Sequence, residues 1–191
     1  MSHIPMPTAE QTAHAVTMLS HPGLIRLVSE IDDNGPIRHR MLGRTFADLG
    51  RHQVRHALAA GREHGLVRAG HKNRPCYLLT ESGAGLADVY DQAARWARAH
   101  NYPALTSDFV TRVQDTLTLL GRGPVLCAVI GAVDDTRAAG RVVDAGLLPT
   151  ADAVRGLHRP WASLSRWIGA HPSLLATAVH HSTADDMECA A

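Results

Sequence analysis

Apolar and polar positions alternate with helical spacing along most of the chain, so the pattern predicts mainly helices. Ala13, Val16 and Leu19 mark one helix from Ala9 to about Leu19, broken by His21-Pro22-Gly23. Leu24, Ile25, Leu27, Val28 and Ile31 mark a second, closed by Asp32-Asp33-Asn34-Gly35-Pro36. A third is expected over 38–46, burying Met41, Leu42 and Phe46, followed by a short turn at Ala47-Asp48-Leu49-Gly50. The fourth spans 51–64 and turns Val54, Ala57, Leu58 and Gly61 to one face. Gly65 suits the left-handed residue that ends a helix.

The period then changes. Leu66-Val67-Arg68-Ala69 and Cys76-Tyr77-Leu78-Leu79 read as two strands of a hairpin around the polar loop 70–75. Thr80 is placed to cap a helix that runs through Leu86, Val89, Tyr90, Ala93 and Ala97 towards His100. Beyond Pro103, Phe109, Val110, Val113, Leu117, Leu119 and Leu120 predict a further amphipathic helix, and 125–130 a buried one. Leu157, Trp161, Leu164, Trp167 and Ile168 form a last helical face, and 180–191 reads as a polar tail. The fold class is mainly α with a small β-hairpin, divided as 1–103, a helical 104–179 and a flexible 180–191.

Charge changes the picture more than composition does. The 191 residues carry a net +1, with 45% hydrophobic and 19% charged residues, a globular composition. From Pro36 to Arg74, however, nine basic residues face only Asp48 and Glu63, giving +7 and leaving −6 for the rest. Five histidines (His39, His52, His56, His64 and His71) share that segment. A basic segment on an acidic chain is the footprint expected of a polyanion-binding surface, although an ordinary solvated surface has the same composition.

Helix, helix, tight turn, helix and hairpin is the order of a winged helix-turn-helix. With one face of helix 51–64 in the core, Arg51, His52, Gln53, Arg55 and His56 point outward, where a helix in the major groove meets base edges. Arginine pairs with guanine and glutamine with adenine there. Arg38 and Arg40, with Lys72, Asn73 and Arg74 of the wing loop, suit phosphates or a narrow minor groove. Gly65-Leu66-Val67 followed by Tyr77-Leu78-Leu79-Thr80-Glu81-Ser82-Gly83 and Leu86 resembles the wing-to-helix junction of HxlR-type and MarR-type regulators, and Trp96 fits the HxlR-type pattern. The resemblance covers roughly residues 16–100. It implies a bacterial DNA-binding transcription regulator, by expectation a repressor, that acts as a homodimer on a pseudo-palindromic operator. HxlR-type proteins commonly carry an N-terminal redox cysteine. This chain has no cysteine before Cys76, so the resemblance brings no thiol switch.

Two features of the second half stay open. Residues 16–25 match 117–126 in their apolar positions, and Ala59-Ala60-Gly61-Arg62 echoes Ala138-Ala139-Gly140-Arg141. These matches are what a degenerate second winged-helix module would leave, and also what short helices in an Ala/Gly-rich chain produce. Such a module would make the chain a pseudo-symmetric monomer instead of a homodimer. Trp161 and Trp167, with His158, either fill a core or wall a small-molecule effector pocket.

Other chemistry finds little footing. Cys76, Cys127 and Cys189 are few and far apart, which argues against a disulfide framework or structural zinc. Neither G-x-S-x-G, Walker, GxGxxG nor H-E-x-x-H occurs, so neither an enzyme nor a cofactor is expected. His52 and His56 lie four apart among arginines that repel a metal ion, so no metal site is assigned. No apolar run reaches bilayer length, and the first residues read as neither signal nor anchor, so the expectation is a cytoplasmic protein. The expected partner is double-stranded DNA. The rival is a protein-interaction module built on the same core.

Overall fold

A computed structural model describes residues 9–70, 75–122, 143, 144, 148 and 150–172. The chain forms two compact units. One is 19–119, and the other gathers the described residues before 19 and after 119.

Within 19–119 the elements are α2 (Pro22–Asn34), β1 (Ile37–Arg38), a 3-10 turn (His39–Met41), α3 (Leu42–Thr45), α4 (Arg51–Glu63), β2 (Val67–Ala69), β3 (Cys76–Leu79), α5 (Glu81–Ala99) and most of α6 (Phe109–Gly121). α2 starts on Pro22, whose missing N–H costs nothing in a first turn. Extended His21 precedes it and accepts the N–H groups of Leu24 and Ile25 at 2.9 and 3.1 Å. Leu24, Ile25, Leu27, Val28 and Ile31 supply the core face, and Gly35 at φ +78° ends the helix. Among the described residues, then, the protein is mainly helical with one small antiparallel sheet.

The single helix expected over 38–46 is replaced by three shorter pieces. Ile37 and Arg38 pair with Tyr77 and Cys76 as an added strand, so the sheet has three strands in the order β1-β3-β2. A 3-10 turn and the one-turn α3 follow. The physical reason is burial. Ile37 is β-branched, follows Pro36 and is buried once paired to β3, whereas Arg38-His39-Arg40 offers no apolar face to a helix. Met41 and Leu42 are only half-buried, and Phe46 alone of the three enters the core.

The rest of this unit follows the pattern. Val67 pairs with Leu79, Arg68 with Leu78 and Ala69 with Tyr77. Gly65 is left-handed at φ +64°. Thr80 ties hairpin to helix: its hydroxyl donates to the Gly65 carbonyl at 2.6 Å and accepts the Gly83 N–H at 3.1 Å. Gly83 must be glycine, because a Cβ there would lie 2.1 Å from the Leu66 carbonyl oxygen. Tyr90 of α5 is fully buried, and its hydroxyl donates to the Leu19 carbonyl at 2.8 Å. Burial raises the Tyr90 pKa well above the phenol range.

The other unit contains α1 (Ala9–Leu19) as far as Met18, α7 (Ala151–Gly156) and α8 (His158–Ala170). Val16 packs so closely on Gly121 that a Cβ there would meet its Cγ1 at 2.8 Å. Thr150 caps α7 by accepting the Ala153 N–H at 3.1 Å. α8 buries Trp161, Leu164, Trp167 and Ile168, the predicted helical face. The expected helix at 125–130, the second copy of the Ala-Ala-Gly-Arg echo and the tail 180–191 lie outside the described residues.

Candidate nucleic-acid interface

α4 presents two faces with different chemistry. Val54, Ala57, Leu58 and Gly61 are buried, while Arg51, His52, Gln53, Arg55 and His56 are all exposed. Small residues bring α4 close to its neighbours. A Cβ on Gly23 would stand 3.3 Å from the Ala57 Cβ, and one on Gly61 would stand 3.1 Å from Val67 Cγ2. Gly23, Leu27, Phe46, Leu49, Val54 and Ala57 line the apolar crevice where α2, α4 and the turn between α3 and α4 meet.

That turn is held from α2. The Arg26 guanidinium lies 5.3 Å from the Phe46 ring centroid, donates through Nη1 to Glu30 Oε2 at 2.5 Å and reaches Asp48 Oδ2 at 3.4 Å. A cation on an aromatic face with two carboxylates beside it anchors both the buried ring and the exposed turn. The N-terminus of α4 is closed by Gln53, whose Oε1 accepts the Gly50 N–H at 2.8 Å. Gln53 therefore has a structural partner as well as an exposed position. His56 stands against His21, ring centroids 4.9 Å apart. Burial first, and the neighbouring His56 second, pull the His21 pKa below its ordinary value.

Arg38 and Arg40 reach the same unit from a different element. Arg38 lies on β1 opposite Cys76, and Arg40 on the 3-10 turn, both exposed. His39 between them stacks on Tyr77 at 4.3 Å, and its N–H donates to the Pro75 carbonyl at 3.1 Å. These contacts fasten the basic segment to the foot of the hairpin. Gly70 closes the near end, its N–H donating to the Cys76 carbonyl at 2.7 Å. Lys72, Asn73 and Arg74 lie outside the described residues.

The electrostatics are one-sided. Arg38, Arg40, Arg44, Arg51, Arg55, Arg62 and Arg68 are exposed, and none forms an ion pair among the described residues. Arg26, by contrast, has two carboxylates. The role of His21 and the His39–Tyr77 stack were not legible in the sequence. Residues 21 and 56, or 39 and 77, are 35 and 38 positions apart, and no spacing rule joins them.

In the other unit Trp161 and Trp167 are buried, and Trp167 stacks on His171 with centroids 4.5 Å apart. His158 is exposed, its Nδ1 2.8 Å from the Arg155 carbonyl. Among the described residues no group of three or more His, Cys, Asp or Glu is placed to hold a metal, and no helix is long and apolar enough to cross a membrane. Cys76 is free and half-buried, and Cys127 and Cys189 lie outside the described residues. No protein-family model matches the chain, and no curated protein or solved structure matches it either.

Proposed function

We propose that the chain is a winged helix-turn-helix protein that binds duplex DNA in a sequence-specific way and acts as a transcriptional regulator, with repression as the expected outcome. The observation that carries this reading is the set of seven exposed arginines without acidic partners among the described residues, three of them (Arg51, Arg55 and Arg62) on the exposed face of one closely packed helix. Unpaired guanidinium groups on a fixed scaffold suit a polyanion, because each phosphate they meet releases condensed counterions. The succession α2, α3 and α4, with a sheet ordered β1-β3-β2, supports the same reading. α4 would lie in the major groove with Arg51, His52, Arg55 and His56 towards the bases, and Arg38 and Arg40 would hold phosphates beside the hairpin. This is the arrangement implied by the likeness to HxlR-type and MarR-type regulators.

The test is binding to a pool of genomic duplex fragments followed by fluorescence anisotropy, with recovery and sequencing of the bound fraction. Enrichment of a few related sequences is the expected result, and two half-sites in them would report a dimer. Arg55→Ala should weaken specific binding by about 1–3 kcal/mol and relax preference at one position, whereas Arg40→Ala should weaken all sequences alike. Absence of binding even at low salt would overturn the reading and turn attention to a protein partner.

A further inference from the structure

Residues alternate between the two faces of a sheet, and directly paired residues share a face. Ile37 and Val67 are buried opposite Tyr77 and Leu79, which marks the core face. The other face carries Arg38 beside Cys76 and Arg68 beside Leu78. With β3 in the middle of the order β1-β3-β2, the arginines stand on the two outer strands and the cysteine and leucine between them. Both arginines are exposed and both middle residues half-buried. A Cβ on Gly70 would collide with Cys76 Sγ and lie 2.7 Å from Leu78 Cδ1, so these two side chains lie over bare backbone. The result is a low apolar floor with a cation on each side, about 12 Å apart at Cα by strand spacing and rise. Neither arginine pairs with a carboxylate among the described residues.

We propose that this outer face of the sheet binds one phosphodiester strand of duplex DNA, with Arg68 as well as Arg38 on phosphates and deoxyribose over Cys76 and Leu78. The proposal rests on the reading that duplex DNA is the ligand. Residue type alone places the wing's phosphate contacts in its loop, at Lys72, Asn73 and Arg74, whereas the paired strands carry cations of their own. An occupant of this face must bring anions set apart by a less polar stretch. A DNA strand does so at a fixed repeat, phosphate after sugar, and guanidinium forks suit phosphate oxygens. An acidic peptide matches less well, because extended peptides dock on sheets by pairing with an edge, and these arginines stand on the face. Phosphate contacts carry no sequence information directly, so Arg68 sets affinity and leaves base preference alone.

Arg68→Ala is compared with the intact protein by fluorescence anisotropy on one duplex between about 50 and 200 mM salt, and by selection from a randomised duplex pool. Arg95→Ala is the control, because Arg95 is equally exposed but lies on α5, outside the basic segment. Arg68→Ala is expected to lower the slope of log affinity against log salt by about 1, weaken every duplex alike and keep the base preferences. Arg68→Lys should restore most of that slope, and Arg95→Ala should leave it unchanged. All three should melt with the intact protein. The proposal is overturned if Arg68→Ala keeps the full slope, if Arg95→Ala loses as much, or if the loss in Arg68→Ala is confined to one base position. Labelled poly-glutamate and sedimentation test the other occupants. If Arg68→Ala binds duplexes like the intact protein but loses poly-glutamate, or dissociates to a smaller species, the face belongs to an acidic protein or to a second copy, and the proposal falls. If the intact protein binds no duplex, the DNA reading falls and this proposal with it; duplex binding unaltered by Arg68→Ala sinks only this proposal.

Discussion

Single residues in this protein act through very short distances. Gly83 is the sharpest case, because its hydrogen stands where a methyl group would press into the Leu66 carbonyl, the same oxygen that accepts the Thr80 N–H at 2.9 Å. Neither the helix nor the strand end can yield without losing that bond. Gly83→Ala is therefore expected to destabilise the protein by about 1–3 kcal/mol, although alanine favours helices, and to lower the melting temperature by several degrees. His21 gives a second prediction. Burial and His56 disfavour its charged form in the folded protein, so the unfolded chain binds the proton more readily. Its contribution is fully present above the ordinary value of 6.5 and is lost as the pH falls below it towards the lowered one. Unfolding by urea between pH 5 and 8 should show stability falling on the acid side, and less so in His21→Asn, because asparagine does not titrate and is a favoured residue at a helix start. An unchanged acid slope in that variant would assign the titration to another group.

Elements owe their placement to small residues at their crossings. α4 approaches α2 through Gly23 and Ala57 and approaches β2 through Gly61, and this closeness sets the angle at which its arginines emerge. Ala57→Leu would insert a branched side chain where the nearest Cβ position is already in contact. It should cost about 1–3 kcal/mol. Ala59→Leu, on the exposed face of the same helix, should unfold within about 0.5 kcal/mol of the parent. Equal losses in denaturant titrations of the two would mean that α4 is not seated as described. α4 and its buried set were fully legible in the sequence, because a 13-residue helix repeats its pattern often enough to read. β1 was not legible. Two residues carry no period, and their strand identity comes from Tyr77 and Cys76, some 40 positions away.

For the whole molecule, the decisive quantity is how unevenly charge is spread. A net charge of +1 conceals a segment at +7, and folding leaves seven of its arginines, Arg38 to Arg68, on the surface without carboxylate partners among the described residues. Duplex binding by this face should therefore depend steeply on salt. If six phosphates are neutralised, affinity should fall by roughly a thousandfold between 50 and 200 mM salt. A shallow dependence, measured by anisotropy on one duplex, would show that the arginines are solvated bystanders. Four acidic groups of the same unit lie together elsewhere: burial, then Asp33, Asp91 and Asp88, raise the Asp32 pKa.

Periodicity and composition along the chain were enough for the long helices, the hairpin, the left-handed Gly65, the Thr80 cap and the basic segment. Each of these is a local property, set by a few neighbouring residues and repeated or marked clearly enough to stand without a partner. Contacts distant in sequence had to be formed before the remainder could be known. Ile37 became a strand because β3 offered it a buried partner, and His56 met His21 because α4 lies across the start of α2. Gln53 lies between these cases: its three-residue distance from Gly50 is local, but an exposed glutamine has several rotamers, and the folded helix end selected the one that turns its oxygen inward.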